Sequence, residues 1–477
     1  MRIGTEGSGW SAAVAVLLSA TAYYLGTGLH PWWPLVWVAP LPLLLLPAGM
    51  SRWRGLTLSF VAYLAGSLNI VTYLGRLLPI PAILIALVAP AAIFALTLEA
   101  HRSAMRRDHA LAMLAFPAAW TSYEFILARF SPDGTALNLA YTQVSNLPVV
   151  QLASVTGLWG ISFLVTLLPA GVAAAWSWRR RAGRSVLAVG LPLCALALVV
   201  GYGWSRLRAP ITTPSVRVGA AVSDTSVHLF KTAAREQAMP VVAAYAARVD
   251  ALAKAGAQVA VLPEKFVGVA PGYEADAFEV MRAAAVRNRV FVVGSFNLVD
   301  RAPLRNLAFV FAPDGSQRVA YDKANLLPSF EQGYQRGRAP GVFALGDAPA
   351  GVAICKDMDF PGWLRGYAAA GTRILFVPAW DFVIDGPLHA RMAVMRGVEG
   401  GYAVVRAAQE GLLLVTDDRG RVHGERASSS AGELQLTTEV PLGAGGTFYS
   451  RTGDWFGVLS LLILVASLAT GRRPKQR

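Results

Sequence analysis

Three residues, Glu264, Lys323 and Cys355, each stand where an apolar, β-branched run gives way to polar sequence. Val259-Ala260-Val261-Leu262-Pro263 leads to the carboxylate, Val319-Ala320-Tyr321-Asp322 to the ammonium, and Gly351-Val352-Ala353-Ile354 to the thiol. A buried strand delivers the side chain at its end to a polar rim, so this pattern offers a base, a cation and a nucleophile at three strand ends. These are the parts that acyl transfer through a thioester requires. A free thiol, with a pKa of about 8.5, is mostly protonated at neutral pH; a carboxylate must take its proton or a cation must favour the thiolate. Taken singly, each residue also has a plainer reading: a solvated carboxylate, an edge lysine, a packed cysteine.

The elements that must position the three groups lie within residues 215–445. Strands are predicted at Val216–Val222, Gln258–Leu262, Val290–Phe296, Leu307–Phe311, Val319–Tyr321, Gly351–Cys355, Ile374–Val377, Ala403–Ala407 and Leu412–Val415. Helices are predicted near 231–255, 274–287, 361–371 and 387–400, and Pro313-Asp314-Gly315 and Asp418-Arg419-Gly420 mark tight turns. Strands with interleaved helices over about 230 residues suggest one α/β sandwich domain.

The flanks are of another kind. The 477-residue chain is 55% hydrophobic and only 15% charged, with a mean hydropathy of +0.45, too apolar for an ordinary soluble protein. Apolar runs at 11–29, 34–49, 55–74, 80–98, 109–128, 157–177 and 185–205 precede the polar region, and Trp455 to Thr470 follows it. Most approach the ~20 residues of a spanning helix. Ala20-Thr21-Ala22 resembles a signal-peptide cleavage site, but its apolar stretch runs on beyond it, which favours an uncleaved helix.

The net charge of +14 reads as topology. Basic residues fill alternate loops: Arg2; Arg52 and Arg54; Arg102, Arg106 and Arg107; Arg179, Arg180, Arg181 and Arg184; then the tail from Arg472. Only Arg76 and Arg129 lie in the opposite short loops. Both termini are therefore expected in the cytoplasm and the polar domain outside it, and no nucleic-acid partner is expected. Cys194, within an apolar span, reads as helix packing, and Arg396 and Glu399 as a structural pair. Glu99 and Asp108 need no role beyond their basic loop. His389 lacks zinc-ligand spacing, and no dinucleotide fingerprint or phosphate-binding glycine loop appears, so neither metal nor cofactor is expected.

Leu262-Pro263-Glu264, Tyr321-Asp322-Lys323 running on to Glu331, and Ala353-Ile354-Cys355-Lys356-Asp357 resemble the Glu-Lys-Cys motifs of the nitrilase superfamily. Together with the helices on either side, with Leu137–Gln143 and Gln151–Phe163, and with His389–Glu399, they resemble the apolipoprotein N-acyltransferase family in particular. The fold this implies is a polytopic α-helical membrane bundle of about eight helices with an inserted α/β, nitrilase-like α-β-β-α sandwich. The parts would be a seven-helix region at 1–210, an extracytoplasmic catalytic domain at 211–450, and a last helix with a basic cytoplasmic tail at 451–477. The resemblance implies Cys355 as nucleophile, Glu264 as general base, Lys323 as oxyanion stabiliser and Glu331 as a supporting carboxylate. The backbone N–H of Lys356 is a second candidate oxyanion donor.

The reaction implied is ping-pong: Cys355 takes an acyl chain from a phospholipid and passes it to the α-amine of a diacylglyceryl-cysteine lipoprotein. A monomer in a bacterial inner membrane is implied. Phe230, Phe266, Phe330, Trp380 and Phe382 are candidates to line an acyl entrance, or they pack under the domain's rim. The sequence departs from the family at Lys356-Asp357, where Tyr-Glu is usual, at Phe230 in place of a tryptophan, and at Gln409-Glu410 in place of paired asparagines. Lys356 would lower the thiol's pKa or recognise another head group. The aspartate, one methylene shorter than glutamate, is expected to hold its carboxylate back from the site. These departures keep open a membrane-bound amidase, an acyltransferase with a different acceptor, or a non-catalytic lipid-binding or protein-binding relative.

Overall fold

In the computed structural model, residues 7–47, 49–428 and 433–470 are described. The expectations for Arg2 and for the tail from Arg472 lie outside them. The chain divides into two compact units: a helical one, comprising the described residues up to Phe130, Leu137–Leu207 and those from Asp454 on, and a second of Ser131–Ala136 with Arg208–Gly453.

In the helical unit, Arg52–Leu77, Ile80–Arg106, Ala110–Phe130, Leu158–Ser177 and Ala182–Arg208 are long and apolar enough to cross a membrane. The first and last apolar runs form shorter helices, Trp10–Gly26 and Trp455–Ala469. The run 34–49 is not a spanning helix. It breaks into a 3-10 turn at Trp33–Trp37 and one helical turn at Leu41–Leu44. Pro34, Pro40, Pro42 and Pro47 explain this, since each lacks an N–H and its ring clashes with the preceding turn.

Aromatic packing holds the helices together: the Phe94 ring lies 4.6 Å from Tyr63, 5.3 Å from Tyr23 and 5.7 Å from Trp120. Asp454 anchors the last helix by accepting hydrogen bonds from Arg129 (2.7 Å) and Trp159 (2.9 Å). Glu99 pairs with Arg106, and Asp108 with Arg181 and Arg184. Cys194 is exposed on its helix and is not packing, contrary to the sequence expectation.

Among the described residues, the second unit contains thirteen strands: β1 (Ser215–Ser223), β2 (Val259–Val261), β3 (Gly268–Val269), β4 (Phe291–Leu298), β5 (Arg305–Phe311), β6 (Gln317–Asp322), β7 (Gly341–Leu345), β8 (Ala348–Val352), β9 (Ile374–Trp380), β10 (Ala403–Gln409), β11 (Leu412–Thr416), β12 (Val422–Ala427) and β13 (Glu433–Pro441). They form two sheets, ordered β13-β1-β2-β4-β5-β6 with β3 on β4, and β12-β11-β10-β9-β8-β7. The central strands β1, β2 and β4 run parallel, as do β8, β9 and β10, and being largely covered on both faces they are mostly apolar. The sheets face each other, with β1 and β2 against β10 and with β2 and β4 against β9. Helices Arg235–Lys254 and Glu274–Asn288 cover the first sheet, while Gly386–Gly400 lies on β10 and β11. The order is helix, sheet, sheet, helix, which leaves the ends of the parallel strands free to carry chemistry.

Candidate active site

The strand bearing the thiol ends sooner than its sequence suggests. β8 stops at Val352, and Cys355 opens a 3-10 turn, Cys355–Asp359, with a left-handed backbone (φ +41°). A non-glycine residue held in that region costs about 1–2 kcal/mol, which surrounding contacts must offset. Asp357 provides them. Its Oδ2 accepts from Ile354 N (2.9 Å) and the Tyr321 hydroxyl (2.6 Å), and its Oδ1 from Asn325 N (2.8 Å) and Nδ2 (3.0 Å).

Around the turn, a charged network is almost completely buried. Lys323 Nζ donates to Glu264 Oε1 at 2.9 Å and lies 3.0 Å from Glu331 Oε2. Asn306 Nδ2 bridges the same two carboxylates, at 2.6 Å from Glu264 and 2.9 Å from Glu331, and its own oxygen accepts from Ser295. Lys265 Nζ reaches Glu331 Oε1 at 2.8 Å and stands between the rings of Phe230, Tyr334 and Trp380. Two carboxylates thus meet two ammonium groups, a balance that lets four charges stay buried.

The electrostatics follow from this packing. Burial opposes the Lys323 charge, but Glu264, Glu331 and the thiol outweigh it and hold the ammonium well above its ordinary pKa. Burial would also raise the Glu331 carboxyl, yet Lys323 and Lys265 hold it well below the usual carboxylate range. For Cys355, burial is the largest influence and pushes the thiol up; Glu264 adds to the rise, whereas Lys323 and then Arg406 oppose it. The thiol is therefore protonated at rest, and Sγ donates to the Trp380 carbonyl at 3.4 Å. A base that accepts its proton during attack fits this state, and a standing thiolate does not.

Cys355, Glu264, Lys323 and Glu331 are thus brought together. Lys356 is directed elsewhere: its ammonium lies 2.7 Å from Asp133 and 3.6 Å from Asp359. Phe230 packs edge-on against Trp380, with ring centroids 4.8 Å apart, and Phe330 lies 5.6 Å from Phe382. Phe266 does not line the site; it is fully buried in the sandwich core against Tyr245 and Phe296. Gln409 Nε2 holds the Glu264 carbonyl at 2.8 Å, and Glu410 accepts from the Trp380 indole at 2.8 Å.

Sequence reasoning passes over Lys265, Asn306, Asp381 and Arg406. Lys265 adjoins Glu264, and Asn306 immediately precedes a predicted strand; their partners lie tens of residues away, so spacing carries no signal. Asp381, Asp385 and His389 have their ligand atoms within 4.8 Å of one another. Both Asp381 oxygens already receive the Arg406 guanidinium, and the Asp385 oxygens receive Phe382 N and His389. The positive charge this cluster calls for is supplied by protein side chains.

The family model for the apolipoprotein N-acyltransferase N-terminal domain matches residues 19–171, and that for carbon-nitrogen hydrolase matches residues 220–425. The chain is 28% identical to a protein named apolipoprotein N-acyltransferase from Geobacter metallireducens, over 92% of both chains. It is 29% identical to one of the same name from Gloeobacter violaceus, over 72% of this chain and 69% of that one. Among solved structures, Saccharomyces cerevisiae Nit3, a nitrilase-superfamily member, matches 49% of this chain and 92% of its own at 20% identity and a TM-score of 0.41. An amidase from Nesterenkonia matches 47% and 90% at 21% identity and a TM-score of 0.38.

Proposed function

We infer from its membership of the apolipoprotein N-acyltransferase family that this protein is an acyltransferase which N-acylates lipoproteins, with Cys355 as nucleophile, Glu264 as general base and Lys323 as oxyanion partner. The observation that carries the reading is the convergence of a buried protonated thiol, a carboxylate and an ammonium beyond the ends of strands drawn from both sheets.

The chemistry follows from the contacts. Lys323 and Asn306 both meet Glu264 Oε1, which leaves Oε2 to take the thiol proton as sulfur attacks the ester carbonyl of a phospholipid. An ammonium has three N–H donors, and two of those on Lys323 are directed at Glu264 and Glu331. The third serves the tetrahedral oxyanion, where one preorganised donor contributes about 3 kcal/mol. Collapse expels the glycerol oxygen, which takes the proton back from Glu264, and the lysophospholipid departs. The α-amine of a diacylglyceryl-cysteine lipoprotein then attacks the thioester, loses a proton to Glu264, and releases the thiol.

Because neither donor nor acceptor is freely soluble, the helical unit fits a protein of the bacterial inner membrane. The arginine asymmetry of its loops favours cytoplasmic termini and a catalytic domain, about 211–450, on the other side. We take the working species to be a monomer.

The test is to incubate the purified full-length protein with phospholipid and seek acyl-Cys355 by mass spectrometry, then add a diacylated lipopeptide. A thioester that forms and discharges onto the peptide amine is expected, as is its loss in Cys355→Ala. Release of the acyl group as free acid would point to a hydrolase, and normal turnover by Cys355→Ala would remove the nucleophile assignment.

A further inference from the structure

The carbonyl that holds the thiol belongs to Trp380, the last residue of β9, and the next residue, Asp381, is locked in place. Arg406, on the neighbouring strand β10, grips it with both terminal nitrogens: Nη1 meets Oδ2 at 2.8 Å, and Nη2 meets Oδ1. Nη1 also donates to the Leu412 carbonyl at 3.4 Å, and Asp381 N donates to the Gln409 carbonyl at 3.0 Å. Both side chains are buried, with 2% and 0% exposure. Gly411 packs so closely that a Cβ there would stand 1.9 Å from Asp381 Oδ2, so the carboxylate has nowhere to swing. A planar guanidinium and a carboxylate joined in this way act as one rigid plate.

Four charged groups, each from a different element, face the thiol: Glu264 beyond β2, Lys323 beyond β6, Asp381 beyond β9 and Arg406 on β10. On the thiol's own turn, Lys356 is engaged by Asp133 and Asp359, and Asp357 by Tyr321, Ile354 and Asn325. From helix Gly386–Gly400 and its cap, His389 and Asp385 pair with each other one layer further back. Lys323 is shared between two carboxylates, which leaves Arg406 as the second cation acting on sulfur.

We propose that Arg406 and Asp381 are positioning residues for the reactive thiol: their locked pair fixes the end of β9, whose Trp380 carbonyl holds Sγ, and sets the charge behind the sulfur. Arg406 eases loss of the thiol proton, and Asp381 resists it while keeping Arg406 in register. The pair touches neither acyl chain nor amine. This rests on the reading of Cys355 as nucleophile, but its readout needs no lipid.

The experiment measures alkylation of Cys355 by a small neutral haloacetamide across pH 6–10, using the full-length protein in detergent. Below the thiol pKa the rate follows the thiolate fraction, so a variant that moves the pKa moves the rate in proportion to that fraction. Arg406→Met is expected to slow alkylation roughly tenfold at fixed pH, the lower end of what one nearby charge does. Asp381→Asn is expected to speed it, and Arg406→Lys to stay near the parent rate because the charge remains. Should Arg406→Met fail to fold, Asp381→Asn and Arg406→Lys decide the matter.

Rate changes of opposite sign support the proposal, since loss of packing alone would move both variants the same way. Changes of the same sign, or unaltered profiles in folded variants, overturn it. Opposite changes in a protein that forms no acyl-enzyme would sink the transferase reading and leave this proposal standing. A competent transferase whose variants keep the parent profile does the reverse.

Discussion

The Asp133 carboxylate lies 2.7 Å from the Lys356 ammonium, 223 residues further along the chain and immediately after Cys355. Three further contacts hold the segment Ser131–Ala136 against the turn. Thr135 donates to the Asp359 carbonyl from its N–H (3.0 Å) and its hydroxyl (2.8 Å), and Gly134, at φ +53°, comes so close that a Cβ would stand 2.4 Å from the same oxygen. Lys356 is thus a clamp, and its charge is directed at carboxylates away from the thiol.

The clamp predicts unequal effects from its two ends. Lys356 is buried (6% exposed) beside buried Asp359, so Lys356→Met leaves a carboxylate without its cation and should cost about 3–5 kcal/mol. Asp133 is 60% exposed, and Asp133→Asn should cost at most about 1 kcal/mol. Thermal denaturation of the two variants checks this; equal losses would mean that the exposed end carries the clamp.

Glu331→Gln isolates the charge balance beneath Glu264. Glu331 accepts from Lys265 and Leu327 N and lies 3.0 Å from Lys323, so its neutralisation leaves two ammonium groups competing for Glu264 alone. Lys323 then loses one of the two anchors that aim it, and an ångström of misplacement is enough for about a 10²-fold loss. Acyl-enzyme formation should slow by about that factor with KM for phospholipid little changed. A rise in KM with an unaltered rate would place Glu331 in substrate binding.

His389 makes the stability depend on pH. Burial opposes its charge, but the hydrogen bond to Asp385 (3.2 Å), with Asp381 and Asp359 behind, raises its pKa above the ordinary value. A histidine raised on folding contributes stability that is complete below its unfolded pKa of about 6.5 and is lost as pH rises through the folded value. The melting temperature should therefore fall on going from pH 6 to pH 8.5, and His389→Gln should flatten that slope. An unchanged slope in the variant would assign the dependence to other groups.

These residues show why some of the molecule is legible in its sequence and some is not. Val259–Val261 and Ile374–Trp380 are covered on both faces, so their strands read directly as apolar runs. β12, Val422–Ala427, lies mostly exposed at a sheet edge with His, Gly, Glu and Arg in it, and does not stand out as a strand from its sequence. The triad can be read because each member follows an apolar run. Lys265 and Glu331, 66 residues apart, or Arg406 within β10 and Asp381 just beyond the adjacent β9, become partners only through the fold, which no local pattern encodes.

Asp357 gives the sharpest test of how the Cys355 turn is held. Its carboxylate is fully buried and receives four hydrogen bonds, two on each oxygen. Asp357→Asn keeps the shape but turns one acceptor into a donor. Pointed at Asn325 it faces two N–H donors; pointed at Ile354 and Tyr321 it faces one N–H and a hydroxyl that can rotate. The second orientation is favoured, and it leaves the Ile354 N–H unpaired at about 1–3 kcal/mol. That N–H lies one residue before Cys355, so the left-handed cysteine should relax, and alkylation of the thiol and acyl-enzyme formation should fall together. Tyr321→Phe removes a donor without placing a wrong one and should cost less. If Tyr321→Phe proves as damaging as Asp357→Asn, the hydroxyl and not the Ile354 N–H holds the turn.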